Sequence, residues 1–228
     1  MRLELREKKG KKYELFLNGE RYCRCYSKDL QMFGFSEISN GQEIDISESV
    51  LAGVEQAAFI PRAKKRALFL LGKKEYTYRE MKTKLLTDGY PATTVTAVLQ
   101  YLADLRYVDD SSYAERYALY LLSGYSERQI YQKMQQKGFE KDLIKSSLEA
   151  ARQTYRLEQR GTEGEECEPE LDAIRSFLRK KGYRPELADE ETKRKCVTAL
   201  YRKGFSLSDI RTVIGECEDS FCENYNEP

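Results

Sequence analysis

Histidine is absent from this chain of 228 residues, and so is tryptophan. Without histidine there is no Ser-His or Cys-His nucleophile arrangement, and the commonest general base is missing. No glycine-rich phosphate loop of Walker or Rossmann type occurs. Enzymes that use only carboxylates or lysines stay open, but no residue pattern nominates one. A run of about 18 apolar residues is also lacking, which argues against a membrane-spanning helix. The first residues, Met1-Arg2-Leu3-Glu4-Leu5-Arg6-Glu7, contain no apolar signal region. The cytoplasm is therefore the expected compartment.

Six cysteines raise the question of disulfides or zinc. Cys23 and Cys25 are separated by one residue and Cys217 and Cys222 by four, while Cys167 lies in an acidic stretch and Cys196 on an apolar helical face. There is no Cys-x-x-Cys pair and no histidine to complete a ligand set, so the spacing suits a four-ligand metal site poorly. Reduced thiols are the expectation, with no metal and no cofactor. Hydrophobic content of 40% and charged content of 34% describe a soluble, somewhat polar protein. Its length leaves room for a packed core and more than one subdomain.

What the chain does contain is a unit repeated three times. Its anchors are Gly89-Tyr90, Gly138-Phe139 and Gly204-Phe205. Eight residues before each glycine stand Met81, Ile130 and Cys196, and four before it Leu85, Met134 and Leu200. Six after it come Val95, Ile144 and Ile210, and ten after it Leu99, Leu148 and Ile214. Offsets of four mark one face of a helix. The glycine reads as a left-handed residue that ends one helix before the next begins. Such a unit cannot bury its apolar face alone, so the copies must stack. Arrays of this kind usually bind something along a shared surface, which points to a binding protein.

The balance of 39 basic against 38 acidic residues hides a segregation. Net charge is −1 over residues 1–60, +4 over 61–110, +3 over 111–156, −6 over 157–172, +6 over 173–215 and −5 over 216–228. All three repeats are basic, and the acid sits in a linker and a tail. Basic repeats fit a surface facing polyphosphate or an acidic protein groove. The plainer alternative is that lysine and arginine solvate outer helix faces. The acidic segments read as solubilising linkers, with folding back onto the basic faces as the alternative.

Along the chain, alternation at Leu3 and Leu5, at Tyr13, Leu15 and Leu17, and at Tyr22 to Tyr26 predicts short strands, with a hairpin at Asn18-Gly19. A short helix over Asp29–Phe33, a strand over Gln42–Ile46 and a helix over Ser47–Phe59 follow. Pro61 either closes this module or begins the next helix. Helices are predicted at 62–72, 78–88 and 92–106, then 111–123, 127–137 and 140–156, then 170–181, 189–203 and 206–218. Thr77…Glu80 and Ser126…Gln129 have capping-box spacing, and Ser112…Glu115 gives a similar signal. Ala67-Leu68-Phe69-Leu70-Leu71 is echoed by Ala118-Leu119-Tyr120-Leu121-Leu122. Gly161–Glu170 reads as a linker, Arg184-Pro185 as a longer connection, and the tail after Ser220 is expected to fray.

The segment Arg106-Tyr107-Val108-Asp109-Asp110-Ser111-Ser112-Tyr113-Ala114 resembles the Gly-Tyr-Ile-Asp-Asp junction between the first two repeats of the RecX family, which regulates the RecA recombinase. Arg106 stands for the usual glycine and Val108 for isoleucine. Gly124, Ile130, Gly138 and Ile144 resemble the family's second repeat, and Ala67–Leu71 with the capped helix from Thr77 to Leu85 its first. The first repeat departs from the usual Arg-Ser pair before its second helix, having Lys73-Lys74-Glu75-Tyr76-Thr77. An acidic insertion precedes the third repeat. The resemblance covers residues 62–155 well and 170–215 more loosely, and residues 1–60 resemble the extra module of longer members. It implies tandem three-helix units in a curved, elongated body. It also implies a non-enzymatic mechanism: lodging in the groove of the RecA filament on single-stranded DNA and suppressing ATP hydrolysis, strand exchange and co-protease activity.

The expected fold is therefore mainly α: three tandem three-helix repeats in an elongated curved array with a small β-containing N-terminal module. The expected divisions are a module at 1–60, repeats at 61–110 and 111–156, a linker at 157–169, a third repeat at 170–219 and a tail at 220–228. Candidate partner or DNA contacts are Arg62, Lys64, Lys65, Arg66, Lys73, Lys74, Arg79, Lys82 and Lys84 in the first repeat. They continue with Arg116, Arg128, Lys133 and Lys137 in the second and Lys193, Arg194, Lys195, Arg202 and Lys203 in the third. Asp109 and Asp110 admit a metal reading, but helix capping by Asp110 and Ser111 is favoured. Tyr113, Tyr117, Tyr120, Tyr125 and Tyr131 are either stacking groups for bases or, the favoured reading, half-buried helix contacts. The expected partner is the RecA filament, with direct DNA contact a further possibility, no membrane, and a monomeric chain. The alternative function is a stand-alone helical-repeat nucleic-acid-binding protein.

Overall fold

Alternating residues of a strand share a face, and the first 26 residues use that rule to build one buried side. Strands β1 (Arg2–Lys8), β2 (Lys12–Leu17), β3 (Glu20–Tyr26) and β4 (Glu43–Asp45) form an antiparallel sheet in the order β3-β2-β1-β4. Leu5 faces Leu15, which faces Cys23. Leu3, Leu5, Tyr13, Leu15, Cys23 and Cys25 are all buried together. Asn18 and Gly19 both have positive φ, 51° and 85°, as a type I′ hairpin requires. Helix α1 (Ser27–Phe33) adds Leu30 and Phe33 to this core. The computed structural model describes residues 1–8, 12–35, 40–159, 168–184 and 188–223, with side chains described only as far as 215 in the last segment. Residues 161–167 of the predicted linker Gly161–Glu170, with Cys167, the Pro185 connection, the last five residues and the side chains of Cys217 and Cys222 lie outside these, while Pro169 and Glu170 begin a helix.

The chain divides into two compact units, Met1–Asp109 and Asp110–Pro228. In the first, α2 (Glu48–Val54) runs through a π-helical turn (Glu55–Phe59) into α3 (Ile60–Leu71) without a break. Pro61 explains the wide turn. It has no N–H to donate, and its ring would crowd the carbonyl four residues back. The Ile60 N–H instead reaches back five residues to the Glu55 carbonyl. The expected boundary between residues 60 and 61 thus falls inside a continuous helical run. Helices α4 (Tyr78–Asp88) and α5 (Ala92–Asp104) complete a three-helix group around Ala63, Ala67, Met81, Leu85, Val95 and Leu99.

The second unit holds α6 (Asp110–Leu122), α7 (Glu127–Lys137), α8 (Lys141–Gln159), α9 (Pro169–Lys180), α10 (Glu190–Arg202) and α11 (Leu207–Glu223). One core gathers Ala114, Ala118, Ile130, Met134, Ile144 and Leu148, and another Ile174, Leu200, Phe205, Ile210 and Ile214. Of the positions in the repeat pattern, Cys196 and Tyr90 are only partly buried. Helix α11 continues to Glu223, past its expected end at 218. No glycine–aromatic stop follows Ile214, and Pro228 is the first proline after it.

The three repeat glycines sit at φ 95°, 93° and 92°. In each case the aromatic N–H reaches the carbonyl four residues before the glycine: Tyr90 to Leu85, Phe139 to Met134 and Phe205 to Leu200, at 3.2–3.3 Å. This is the Schellman stop, whose two signature residues also pack together. The spacing read as a repeat is therefore the chemistry of a helix terminus. Gly34-Phe35 and Gly182-Tyr183 end α1 and α9 in the same way. Arg106 does so for α5 with no glycine at all. Its φ is 55°, its N–H bonds Ala103 and the Tyr107 N–H bonds Leu102 at 2.8 Å.

Helix starts correct two expectations. The Thr77–Glu80 box is fully formed, with reciprocal bonds of 3.1 and 3.0 Å. At Ser126 only half exists: its Oγ accepts the Gln129 N–H at 3.4 Å, while Gln129 Oε1 is buried without a partner. Because α6 begins at Asp110, Asp109 takes the cap position in place of Asp110 or Ser111. Ser112 and Glu115 lie inside the helix and cannot start it.

Candidate partner-binding surfaces

In the first repeat, the basic candidates divide into those that hold the fold and those that project from it. Arg62 belongs to the first group. Its terminal nitrogens grip both oxygens of Asp29 at 3.0 Å, and its guanidinium lies 5.1 Å from the Tyr26 ring centroid and 5.4 Å from that of Phe59. Asp29 is only 4% exposed and also accepts the Tyr26 N–H. Removing Arg62 would leave a buried carboxylate unpaired, which costs about 3 kcal/mol or more. Arg66 bonds Asp88 at 2.8 Å and Lys84 approaches the same carboxylate at 3.5 Å, tying α3 to α4. Lys64 lies over Tyr101, Lys73 over Phe69 and Lys74 over Tyr76. Lys65, Arg79 and Lys82 are exposed and form no ion pair among the described residues.

In the second unit, Lys133 covers the Tyr125 ring, Lys137 lies near Tyr113 and Tyr117, and Lys203 is 5.5 Å from Phe177. Arg116 is exposed, and Lys193 and Lys195 pair with Glu190 and Glu191 on their own helix. Arg194 and Arg202 are exposed without an ion pair among the described residues. Arg128 is exposed at its head, but its stem lies against Gly204, where an added Cβ would meet Arg128 Cβ and Cδ at 3.1 Å. Ser126 Oγ donates to the Lys203 carbonyl at 2.6 Å, and Glu170 accepts the Glu127 N–H at 3.1 Å. These bonds join the second and third repeats.

Three arginines occupy one place in the repeat. Arg79, Arg128 and Arg194 each stand ten residues before the stop glycine, and all are exposed. Arg79 and Arg128 lie in the first turns of α4 and α7. A cation there opposes the helix dipole at a cost of about 0.3–1 kcal/mol. Two exposed aromatics also correspond, Phe69 and Tyr120, at 55% and 72% exposure. Tyr113, Tyr117, Tyr125 and Tyr131 instead pack against the second repeat's core. The favoured reading holds for these four and not for Tyr120.

Sequence reasoning passed over a group in the N-terminal module. Arg24 on β3 lays its stem across Gly89, whose added Cβ would sit 2.7 Å from Arg24 Cγ and Cδ. The Arg24 N–H also donates to the Gly89 carbonyl at 2.8 Å. Tyr22 and Thr93 both donate to Glu55 in the π-helical turn. With the Arg62–Asp29 pair, these contacts fix the sheet onto the first repeat. A cleft of about 280 Å³ opens beside them, lined by Arg24, Tyr26, Arg62, Arg66, Asp88 and Tyr90. Burial raises the Tyr90 phenol above its ordinary value, opposed by Arg62 and Arg66, so it stays a neutral donor. The alternation of β3 carried a signal for this: the residues that flank a core-facing Cys25 must face outward.

Two of the cysteines behave as core residues. Cys23 and Cys25 are free and buried, and burial pushes the Cys23 thiol far up and that of Cys25 up to about 12. Among the described residues no helix is long and apolar enough to cross a membrane.

A sheet-bearing module followed by glycine-stopped three-helix repeats with basic faces defines a tandem helical-repeat protein. Residues 63–102 match the family description "RecX, first three-helix domain", and residues 168–214 match "RecX, third three-helix domain". The chain thus carries two units that match RecX three-helix domains. It is 27% identical over 220 residues to the regulatory protein RecX of Clostridium tetani, covering 94% of this chain and 92% of that one. With the regulatory protein RecX of Caldanaerobacter subterraneus it shares 26% identity, covering 92% and 95%. A solved structure of regulatory protein RecX has the same fold, with a TM-score of 0.53 at 20% identity and coverage of 94% and 99%. So does that of RecX from Lactobacillus salivarius, with a TM-score of 0.52 at 19% identity and coverage of 70% and 96%.

Proposed function

We propose that this protein is a non-enzymatic negative regulator of a RecA-type recombinase, acting on the filament that the recombinase forms on single-stranded DNA. It lodges in the filament groove and restrains the motions needed for ATP hydrolysis, strand exchange and co-protease activity. The observation that carries this reading is the recurrence of an exposed arginine at one position of all three repeats, Arg79, Arg128 and Arg194. A groove presenting acidic side chains and DNA phosphates again and again is matched by a cation that recurs once in each repeat.

The test is RecA ATP hydrolysis on single-stranded DNA, titrated with this protein at constant salt. A saturable fall near stoichiometric ratios, not rescued by excess DNA, supports filament binding. The variant to compare is Lys65→Glu with Arg79→Glu and Lys82→Glu, because none of the three holds an ion pair among the described residues. Reversing Arg62 or Arg66 would break the fold instead. Undiminished inhibition by the triple variant removes this surface from the mechanism. No inhibition by the parent chain, with salt-sensitive binding to bare DNA, transfers the reading to a stand-alone nucleic-acid-binding protein.

A further inference from the structure

We infer that the cleft between β3 and the first repeat binds a phosphodiester of single-stranded nucleic acid, with a base stacked on Tyr26. This goes beyond the filament reading, since it concerns a bare strand and stands or falls without any recombinase. Three guanidinium groups, from Arg24, Arg62 and Arg66, line one cavity of about 280 Å³. They are not equally committed. Arg62 is held by Asp29, and Arg66 gives Nε to Asp88. The Arg24 guanidinium makes no hydrogen bond among the described residues, and neither do the terminal nitrogens of Arg66. Glu14 lies 3.9 Å from Arg24 Nε, too far for a hydrogen bond, and is shared with Arg21 at 3.0 Å and Lys8 at 3.4 Å.

The opposing charge is therefore incomplete. Arg24, Arg62 and Arg66 line the cleft against Asp88, with Asp29 held behind Arg62, an excess of one positive charge. Forked donors directed into a polar cavity favour an oxyanion with several acceptor oxygens. The aromatic rim selects among oxyanions. Arg62 covers one side of the Tyr26 ring at 5.1 Å, and Tyr26 is still 51% exposed. That leaves a ring surface for a base, and base stacking with adjacent cations is how single strands are held without sequence preference. A carboxylate-bearing peptide would use the guanidiniums and leave the ring empty.

The full chain is titrated into fluorescein-labelled oligothymidylate, without recombinase, over a salt series. Tyr26→Ala is expected to weaken binding about tenfold, while Tyr26→Phe keeps it. Arg24→Gln is expected to lower affinity and to make the slope of log K against log salt shallower by about 0.7, one single-strand phosphate. Lys145→Gln, an equal loss of charge on exposed α8, controls for general electrostatics and should leave the slope unchanged. Circular dichroism confirms that each variant is folded. Thymidine monophosphate and inorganic phosphate are added as competitors. If either displaces the oligonucleotide at micromolar concentration, the cleft is a free-nucleotide or phosphate site and the strand assignment is overturned. Parental affinity and slope in Arg24→Gln and Tyr26→Ala would overturn the cleft itself.

Discussion

Replacing Gly89 by alanine tests how the sheet module is held on the first repeat. Gly89 carries two separate demands. Its φ of 95° lies in the left-handed region, which costs a side-chain-bearing residue about 1–2 kcal/mol. An added Cβ would also stand 2.7–2.9 Å from Arg24 Cδ, Cγ and Cβ. Carbon atoms rest comfortably at about 3.5–4.0 Å. The far end of Arg24 can swing away, but its Cβ moves only with strand β3. Such a shift lengthens the bond from Arg24 N–H to the Gly89 carbonyl, worth about 1 kcal/mol. The total is about 2–4 kcal/mol. Gly34 supplies the control. It ends α1 with the same stop at φ 94°, in the same unit, and an added Cβ there meets nothing within 4 Å. Gly34→Ala should therefore cost only the conformational part. Urea unfolding followed by circular dichroism gives the two losses, and hydrogen exchange at the Arg24 amide reports the docking bond. Equal losses, with unchanged Arg24 protection in Gly89→Ala, would refute the docking argument.

Three other expectations concern Arg106, the cysteines and Glu170. Arg106→Gly should stabilise the chain by up to about 1 kcal/mol, since Arg106 adopts φ 55° in a stop built for glycine; a lower urea midpoint would contradict this. Iodoacetamide at mildly alkaline pH should modify Cys196 in the folded chain and spare Cys23 and Cys25, whose thiols burial holds protonated; peptide mass spectrometry before and after unfolding reads the order. Half-buried Glu170 has its carboxyl raised above the ordinary 4.5 by burial, so the folded chain holds this proton to higher pH than the unfolded one. Its contribution is present below the ordinary value and lost as pH rises through the raised one. Glu170→Gln keeps an acceptor for the Glu127 N–H and should flatten that decline; parallel stability–pH profiles for parent and variant would count against it.

Much of the local structure was legible in the chain because its signals are local. The hairpin at Asn18-Gly19, the Thr77–Glu80 box and the glycine–aromatic stops each rest on residues a few positions apart. The π-helical turn before Pro61 was not, since a proline permits either a helix start or an irregular turn, and packing of Phe59 into the sheet core selects between them. The candidate surface was only half legible. Charge counts find Arg62, Arg66 and Lys82 alike, but pairing with Asp29 or Asp88 depends on which helices lie together.

The sequence by itself determined the order and approximate extent of most helices and strands, most of the residues that face a core, and that the repeats carry excess positive charge. Those properties follow from hydrogen bonds and periodicities spanning about ten residues or fewer. Only the tertiary structure decided that Arg24 meets Gly89 across 65 positions and that Arg62 holds a buried carboxylate 33 positions away. It also decided which cations are left over to meet a partner. A guanidinium placed against a carboxylate or a ring is neutralised in place, and no count along the chain can tell it from one facing solvent.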